Sequence, residues 1–341
     1  MTISLEAKNS HEIELMLKTT DEDWDAVVKV STAHYVFPAL YCNLKRADFL
    51  QYLPQELVSY MEHITDLNRE RNKQIITQAK ELNTLLLANN IIPIFLKGTG
   101  NLLAGIYEDI GERMVGDIDF IFSKEDYSKA ITTLIKNGYF FVDKIPFEKH
   151  FKHYPRLIKE GEIAAIEIHK ELILRKYAKE FNYNFIKKDI QVINGITVLS
   201  YANKINLSIV ANQINDHGYY YKSIALRNAY DVFLLSKKTN SKEAVNSLNK
   251  LRHPLNCFLA TCYEVFNNVV SLEYNKTKKT AYYLINFNRH LTDNETKNKY
   301  FKRIKFFITL KYWLISIYKF IFHKDYRSWI FKRVLNKICY K

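Results

Sequence analysis

Two aspartates carry the clearest chemical signal in this 341-residue sequence. Asp117 and Asp119 alternate with apolar residues in the segment 115–122, and alternate side chains of a strand point to the same face. Two carboxylates held close together repel each other unless a cation neutralises them. Mg²⁺ in proteins takes one or two carboxylates together with substrate phosphates. We interpret the pair as a candidate metal site, with two solvated acids on a surface strand as the alternative.

A third acid and a glycine turn accompany this pair. Glu167 lies inside a second apolar segment of strand length, where it points away from its two isoleucine neighbours. Lys97-Gly98-Thr99 joins an apolar run to a predicted helix, and main-chain amides at such a turn can bind phosphate. The turn has neither P-loop spacing nor the third glycine of a dinucleotide fingerprint.

The elements that would position these residues are indicated by hydrophobic periodicity and by turns. Short apolar runs alternate with a helix that Ser123 can cap, and Asn194-Gly195 is typical of a hairpin turn. The predicted fold class is α/β (α+β), a small mixed sheet flanked by helical regions. Predicted strands cover 91–96, 115–122, 139–142, 163–169, 190–193 and 196–199. The predicted regions are an N-terminal helical region 1–89, an α/β core 90–199, a C-terminal helical region 200–300 and a basic aromatic helical tail 301–341.

Five motifs in a fixed order extend the pattern beyond the acids. They are Leu96-Lys97-Gly98, Tyr107 to Arg113, Val115 to Ile121, Gly138-Tyr139 and Ile166-Glu167-Ile168-His169. Over about 91–170 the chain resembles a bacterial family of uncharacterised nucleotidyltransferases, within the DNA polymerase β-like superfamily. Thr99 stands where the wider superfamily often has Ser.

The resemblance implies transfer of a nucleoside monophosphate from an NTP to a hydroxyl of an acceptor, with release of pyrophosphate. Asp117 and Asp119 would bind Mg²⁺ (or Mn²⁺) at the triphosphate. Glu167 would complete a second metal position and help to deprotonate the acceptor hydroxyl. The sequence identifies neither the NTP nor the acceptor. A non-catalytic nucleotide-binding protein or a membrane-associated accessory protein on the same fold is the alternative, and the intact trio of acids favours the enzyme.

Further residues receive roles from the same resemblance. Gly98 and Thr99 would hold the phosphates, and Lys97 would either face them or simply end its strand. His169 would support the third acid, with nucleotide binding or a core position as alternatives. His153 is predicted to lie on the surface.

Arginine positions are open to two interpretations. Arg113 is a candidate phosphate clamp because a guanidinium matches phosphate geometry, and a structural ion pair with Asp117 or Glu112 is the equal alternative. Arg227 and Asp231 are four residues apart on a predicted helix, which favours an ion pair between them.

Basic charge is concentrated at one end of the chain. Residues 301–341 contain eleven Lys and Arg and a single acid, which is a net +10 of the total +14. Within 304–322 a narrow polar stripe runs along an otherwise apolar helix. This pattern predicts either a helix packed on the body of the protein or one lying on an anionic membrane. Nucleic acid is a third partner class, without a recognised binding motif.

Compartment and assembly are weakly indicated. The N-terminus lacks the pattern of a secretory signal, and the four cysteines have no metal-site spacing. We therefore expect a cytoplasmic protein, peripheral at the inner membrane face if the tail binds lipid. The sequence gives no oligomeric state.

Overall fold

The computed structural model describes residues 7–19, 23–143, 146–147 and 151–339, and their side chains between 10 and 336. Four helices precede the sheet. Pro38 lies in the first turn of the third and Pro54 directly before the fourth, where a missing amide donor costs nothing. These helices are α1 (Ala7–Thr19), α2 (Trp24–Ala33), α3 (Phe37–Arg46) and α4 (Gln55–Leu87).

A seven-stranded mixed sheet forms the centre of the fold. Its strands are β1 (Ile94–Phe95), β2 (Asp117–Ile121), β3 (Phe140–Phe141), β4 (Leu157–Ile158), β5 (Ala165–His169), β6 (Ile190–Ile193) and β7 (Ile196–Leu199). Their order is β3-β4-β5-β2-β1-β7-β6. β2 pairs with β5 and β1 with β7 in parallel, and the other neighbours are antiparallel. The predicted α/β class with a mixed sheet is confirmed.

Individual strands agree with the sequence to different degrees. The hairpin of β6 and β7 has the predicted bounds, and Asn194 and Gly195 take the positive φ values of 51° and 77° that its turn requires. β1 is shorter than predicted, because only Ile94 and Phe95 pair with β2. β4 is not among the predicted strands, since a two-residue strand carries no usable periodicity.

Helices make up most of the remaining chain. Between the strands and after them lie α5 (Lys97–Leu103), α6 (Tyr127–Lys136), α7 (Tyr183–Ile186), α8 (Tyr201–Val210), α9 (Gly218–Tyr221), α10 (Leu226–Ser236), α11 (Ser241–Asn246), α12 (Arg252–Val265), α13 (Lys278–Thr292), α14 (Asn294–Phe322) and α15 (Lys324–Cys339). α8 continues into a π-helical turn, Ala211–Asn215. The Ser123 hydroxyl accepts from the amide of Asp126 (3.0 Å), three residues on, as predicted.

Helix α4 fixes the strands that carry the acids. The Gln78 side chain donates to the carbonyl of Ala164 (2.9 Å) and accepts from its amide (3.0 Å), immediately before β5. Asn68 donates to the carbonyl of Gly111 (2.7 Å) and Asn72 to that of Arg113 (2.7 Å), in the loop before β2. All three polar side chains are buried. They satisfy loop carbonyls that would otherwise be desolvated without a partner.

The apolar surface of the tail helix α14 is not buried against the rest of the protein. In α14 no described residue is buried, and Phe306 and Trp313 are 62% and 60% exposed. The prediction that this apolar surface packs on the body is wrong. No helix in the described part of the chain combines the length and apolarity required to cross a membrane.

Candidate active site

The parallel pairing of β2 with β5 brings the three acids together. Asp119 lies opposite Glu167 in the register, and Asp117 lies opposite Ala165. Side chains at opposed positions of neighbouring strands share a face. Ile118, between the two aspartates, is buried in the core, so the acids point away from it. Asp117 and Glu167, which are 50 positions apart in the sequence, thus belong to one carboxylate cluster.

Lys97 places its ammonium between two of these carboxylates. Its Nζ is 2.7 Å from Oδ1 of Asp119 and 3.1 Å from Oε2 of Glu167. Lys97 is the first residue of α5, separated from β1 by Leu96, and it has a positive φ of 49°, which is uncommon for a residue other than glycine. Burial by itself lowers the pKa of Lys97, but the charges of Asp119 and Glu167 outweigh burial and raise it. Lys97 is therefore positively charged at neutral pH.

Two histidines and an arginine complete the surroundings of the acids. Nε2 of His169 is 2.8 Å from Oδ1 of Asp119 and 3.3 Å from Oε2 of Glu167. Nδ1 of His153 is 3.0 Å from the same Glu167 oxygen. Nη2 of Arg156 lies 2.8 Å from Oδ2 of Asp117 in an ion pair, and Nε of Arg156 lies 3.5 Å from Oε1 of Glu167.

These contacts affect the acids in opposite directions. Burial raises the pKa of Asp117 above its usual value, although the charge of Arg156 opposes the shift. Burial also acts to raise the pKa of Glu167, but its close contacts with His153 and His169 and the charge of Lys97 outweigh burial and hold that pKa well below its usual range. Glu167 is consequently an anion throughout the physiological pH range, which suits it to binding a cation.

The donor set fits a divalent cation. Three carboxylates on one sheet face match the oxygen preference of Mg²⁺. His153, Glu167 and His169 also offer ligand atoms within 4.8 Å of one another, and imidazole ligands suit transition metals such as Fe²⁺, Ni²⁺ and Zn²⁺, whereas Mn²⁺ shares the oxygen preference of Mg²⁺. Nδ1 of His169 is buried without a hydrogen-bond partner among the described residues. Lys97 and Arg156 meanwhile supply the positive charge that three clustered acids require.

The glycine turn packs tightly beneath the acids. A Cβ on Gly98 would come within 2.9 Å of the Val115 side chain. Any larger residue at position 98 would therefore displace the segment that leads into β2. Thr99 is fully buried, and its hydroxyl donates to the carbonyl of Asp117 (2.9 Å). The Thr99 hydroxyl therefore ties α5 to β2. Since the Thr99 hydroxyl is already used, a phosphate at this turn would be bound by main-chain amides. That Gly98 and Thr99 hold phosphates stays a prediction.

Arg113 forms an ion pair with a partner that the sequence did not indicate. Its Nε is 3.0 Å from Oδ1 of Asp231, in α10, and both side chains are buried. Tyr107 donates to the same Asp231 oxygen (2.7 Å). The predicted alternatives, a pair of Arg113 with Asp117 or Glu112 and a pair of Arg227 with Asp231, are therefore wrong. Periodicity along one helix cannot reveal a partner 118 residues away.

A cavity of about 230 Å³ adjoins the acids, between the sheet and helices α8 and α10. Its volume is below the roughly 300–1,000 Å³ of sites that enclose a whole drug-sized ligand. Lys204 is buried there, and its Nζ donates to the carbonyl of Leu199 (2.6 Å). Five of the lining side chains are Lys or Arg and only two are acids: Lys97, Arg113, Lys152, Lys204 and Arg227 against Asp216 and Asp231.

His153 and Arg156 are site residues that the sequence did not reveal. His153 was expected on the surface, yet it contacts Glu167, and its side chain is only 26% exposed. Arg156 immediately precedes the two-residue strand β4. The available signal was a short basic cluster, Lys152 to Arg156, just upstream of the segment that carries Glu167. The antiparallel pairing of β4 with β5 brings this basic cluster next to the acids, and the sequence does not show that pairing.

Comparison with known proteins agrees with this architecture. The sequence profile of the uncharacterised nucleotidyltransferases matches residues 20–266, which is more than half of the chain. The chain therefore belongs to the uncharacterised nucleotidyltransferase family.

Two solved structures from Helicobacter pylori are similar to the chain. One is JHP933, at 15% identity over 72% of this chain and 97% of that one, with a TM-score of 0.30. The other, described as a proposed nucleotidyltransferase, is 16% identical over 61% of this chain and 98% of that one, with a TM-score of 0.26. Among curated proteins no match is found.

Proposed function

We propose that this protein is a metal-dependent nucleotidyltransferase that transfers a nucleoside monophosphate from an NTP to a hydroxyl group of an acceptor. The observation that carries the proposal is the parallel register of β2 and β5, which sets Asp119 opposite Glu167 with Asp117 two residues away. Membership of the nucleotidyltransferase family supports the same chemistry. In this reaction the acceptor oxygen bonds to the α-phosphorus, the bond from that phosphorus to the bridging oxygen breaks, and pyrophosphate leaves.

The proposed roles follow from the contacts of each residue. Asp117, Asp119 and Glu167 would hold Mg²⁺ or Mn²⁺, which when bound neutralises charge on the reacting phosphate oxygens. Lys97 carries a charged, flexible side chain between the cluster and the cavity, where it can contact phosphate. Burial lowers the pKa of His153, so its ring is neutral at pH 7. With Nδ1 directed to Glu167, Nε2 of His153 can accept the proton of the acceptor hydroxyl.

The decisive experiment measures which phosphate of the NTP, the α- or the γ-phosphate, is transferred to an acceptor. Purified full-length protein is incubated with Mg²⁺ or Mn²⁺, each of the four NTPs, and pools of small molecules, RNA and protein as acceptors. We expect pyrophosphate release and transfer of an α-phosphate label, both lost on addition of EDTA. Transfer of a γ-phosphate label would instead show a kinase. No pyrophosphate and no labelled acceptor with any NTP would contradict the proposal.

The basic cavity is proposed to hold the phosphates that are not transferred. Its Lys and Arg residues adjoin the acid cluster, and a cavity of about 230 Å³ accommodates a phosphate-bearing fragment of a nucleotide. Burial lowers the pKa of Lys204 to about 7. A bound polyphosphate would raise this pKa again, because an adjacent anion favours the charged ammonium.

Proton uptake on NTP binding is the consequence of this arrangement. At pH 8 Lys204 is mostly neutral in the free protein, so NTP binding should take up most of one proton. Affinity should fall by up to about tenfold for each pH unit above 7. Titration calorimetry in buffers of different ionisation enthalpy measures the uptake. Lys204→Met, a close match in shape, should abolish the uptake, and equal uptake in both proteins would exclude Lys204 from the phosphate site.

A further inference from the structure

Helix α14 exposes its apolar side chains to solvent along most of its length. No described residue of this 29-residue helix is buried. A helix packed on a protein body normally turns its apolar stripe inwards. The exposed large side chains of this apolar face are Phe306, Phe307, Leu310, Trp313, Leu314, Ile315, Tyr318, Ile321 and Phe322.

Two residues of the polar stripe of α14 (Lys305, Thr309, Tyr312, Ser316, Lys319 and His323) contact other parts of the protein. Tyr312 belongs to this stripe, and its hydroxyl is 2.9 Å from Nε2 of His217, before α9. Lys319, two turns further on, lies 5.8 Å above the ring of Phe151. Phe306, Leu310 and Trp313 lie on the opposite side of the helix and are exposed. Most of the apolar face of the helix is therefore left in contact with solvent.

Contacts with α15 and with the region before β4 define where this helix lies. Nη1 of Arg327 donates to the carbonyls of Phe320 (3.1 Å) and Ile321 (2.7 Å), which joins α15 to the end of α14. The Trp329 ring stacks on Phe147, with ring centroids 5.0 Å apart and planes at 17°. The exposed apolar surface continues onto α15 at Phe331, Val334 and Leu335.

Charge decides between the partners that could cover this surface. The tail 301–341 carries a net +10, so a second copy of the chain would bring two strongly positive surfaces together. Nucleic acid would satisfy the charge but would leave the exposed Phe, Leu and Trp side chains without an apolar environment. An anionic bilayer satisfies both, because acyl chains bury apolar side chains and lipid headgroups attract Lys and Arg. Since no described helix is suited to crossing the bilayer, α14 would lie in its interface.

We infer that α14 and α15 form a docking surface for an anionic phospholipid membrane, with the apolar face of α14 inserted at the level of the headgroups. The inference is independent of the proposed transfer reaction, since it rests on side chains outside the acid cluster and the cavity. Basic residues that flank the apolar segment 304–322, among them Lys302 and Arg303 in α14 and Lys324 at the start of α15, would contact the headgroups.

Vesicle binding by the full chain tests the inference. Vesicles of phosphatidylglycerol and phosphatidylcholine should bind the protein at low salt, and vesicles of phosphatidylcholine alone should bind it at least tenfold more weakly. Raising the salt concentration should weaken binding without abolishing it, because headgroup attraction is screened and apolar burial is not. Brominated lipids should quench the fluorescence of Trp313. This part of the quenching should be absent in the Trp313→Phe variant.

Two matched triple variants distinguish membrane insertion of α14 from non-specific hydrophobic adsorption to vesicles. Phe306→Ser/Trp313→Ser/Leu314→Ser should reduce binding at least tenfold. Val192→Ser/Tyr282→Ser/Ile285→Ser removes equally exposed apolar side chains elsewhere and should leave binding unchanged. Circular dichroism checks that both variants are folded. Absence of binding to anionic vesicles at low salt would overturn the inference. Self-association of the wild-type protein that the first variant abolishes, without vesicle binding, would assign the surface to a second copy.

Discussion

Asp119→Asn is expected to lower nucleotidyl transfer by at least about 10³-fold, at the upper end of what loss of one charge-stabilising group costs. Oδ1 of Asp119 meets both Lys97 (2.7 Å) and His169 (2.8 Å). An amide at this position keeps the shape but removes the negative charge that a divalent cation requires. Calorimetry should accordingly show weaker binding of the Mg²⁺–NTP complex.

A surface acid provides the control for this variant. Glu160→Gln changes an exposed acid in the turn between β4 and β5 and should leave both transfer and Mg²⁺–NTP affinity unaltered. Thermal unfolding of Asp119→Asn shows whether any loss reflects the fold. An unchanged affinity for Mg²⁺–NTP in a folded Asp119→Asn protein would remove Asp119 from the metal site.

Glu167→Gln is expected to lower kcat by at least about 10²-fold, the lower end of what loss of one charge-stabilising group costs, with little change in NTP affinity. Glu167 comes from β5, whereas both aspartates come from β2, so it is proposed to act on the acceptor side of the reaction. Its strongly lowered pKa makes it a poor proton acceptor. We therefore expect the loss to arise from a missing metal ligand, and added Mn²⁺ to restore part of the activity.

A stability measurement separates this effect from misfolding. Glu167 contacts Lys97 and Arg156 as well as His153 and His169, and the neutral amide removes an anion that compensates the charges of Lys97 and Arg156. Some loss of thermal stability is expected for that reason. Full activity of Glu167→Gln would exclude the residue from the reaction. If Glu167→Gln has the kcat of the wild-type protein under all conditions in which the variant is fully folded, Glu167 has a structural role only.

Local chemistry allowed much of the α/β core to be predicted. Strand alternation predicted that Asp117 and Asp119 share a face, and the Asn194-Gly195 pair predicted the hairpin of β6 and β7. The hydrogen bond from the Asp126 amide to the Ser123 hydroxyl was predicted because its donor lies only three residues away, although α6 itself begins later, at Tyr127, with Asp126 and not Ser123 at its N-cap. Each of these features depends on neighbours within a few residues, whose geometry the backbone constrains. The mixed-sheet fold class followed from the order of these segments.

The composition of the acid cluster depended on tertiary structure. Asp119 and Glu167 are opposed because β2 and β5 pair in parallel, and no local pattern specifies that register. His153 and Arg156 reach the cluster only because their segment pairs antiparallel with β5 at β4. Since β4 has two residues, its pairing had no periodic signature.

Long-range packing also decided two choices that the sequence left open. Arg113 pairs with Asp231 across 118 residues because α10 packs beside the loop that precedes β2, and desolvated charges require a partner wherever one lies. In α14 the sequence by itself determined that a narrow polar stripe opposes a broad apolar face, since helical periodicity fixes relative directions. Which face meets the body was decided only by tertiary contacts such as that of Tyr312 with His217, because periodicity carries no information about what lies outside the helix.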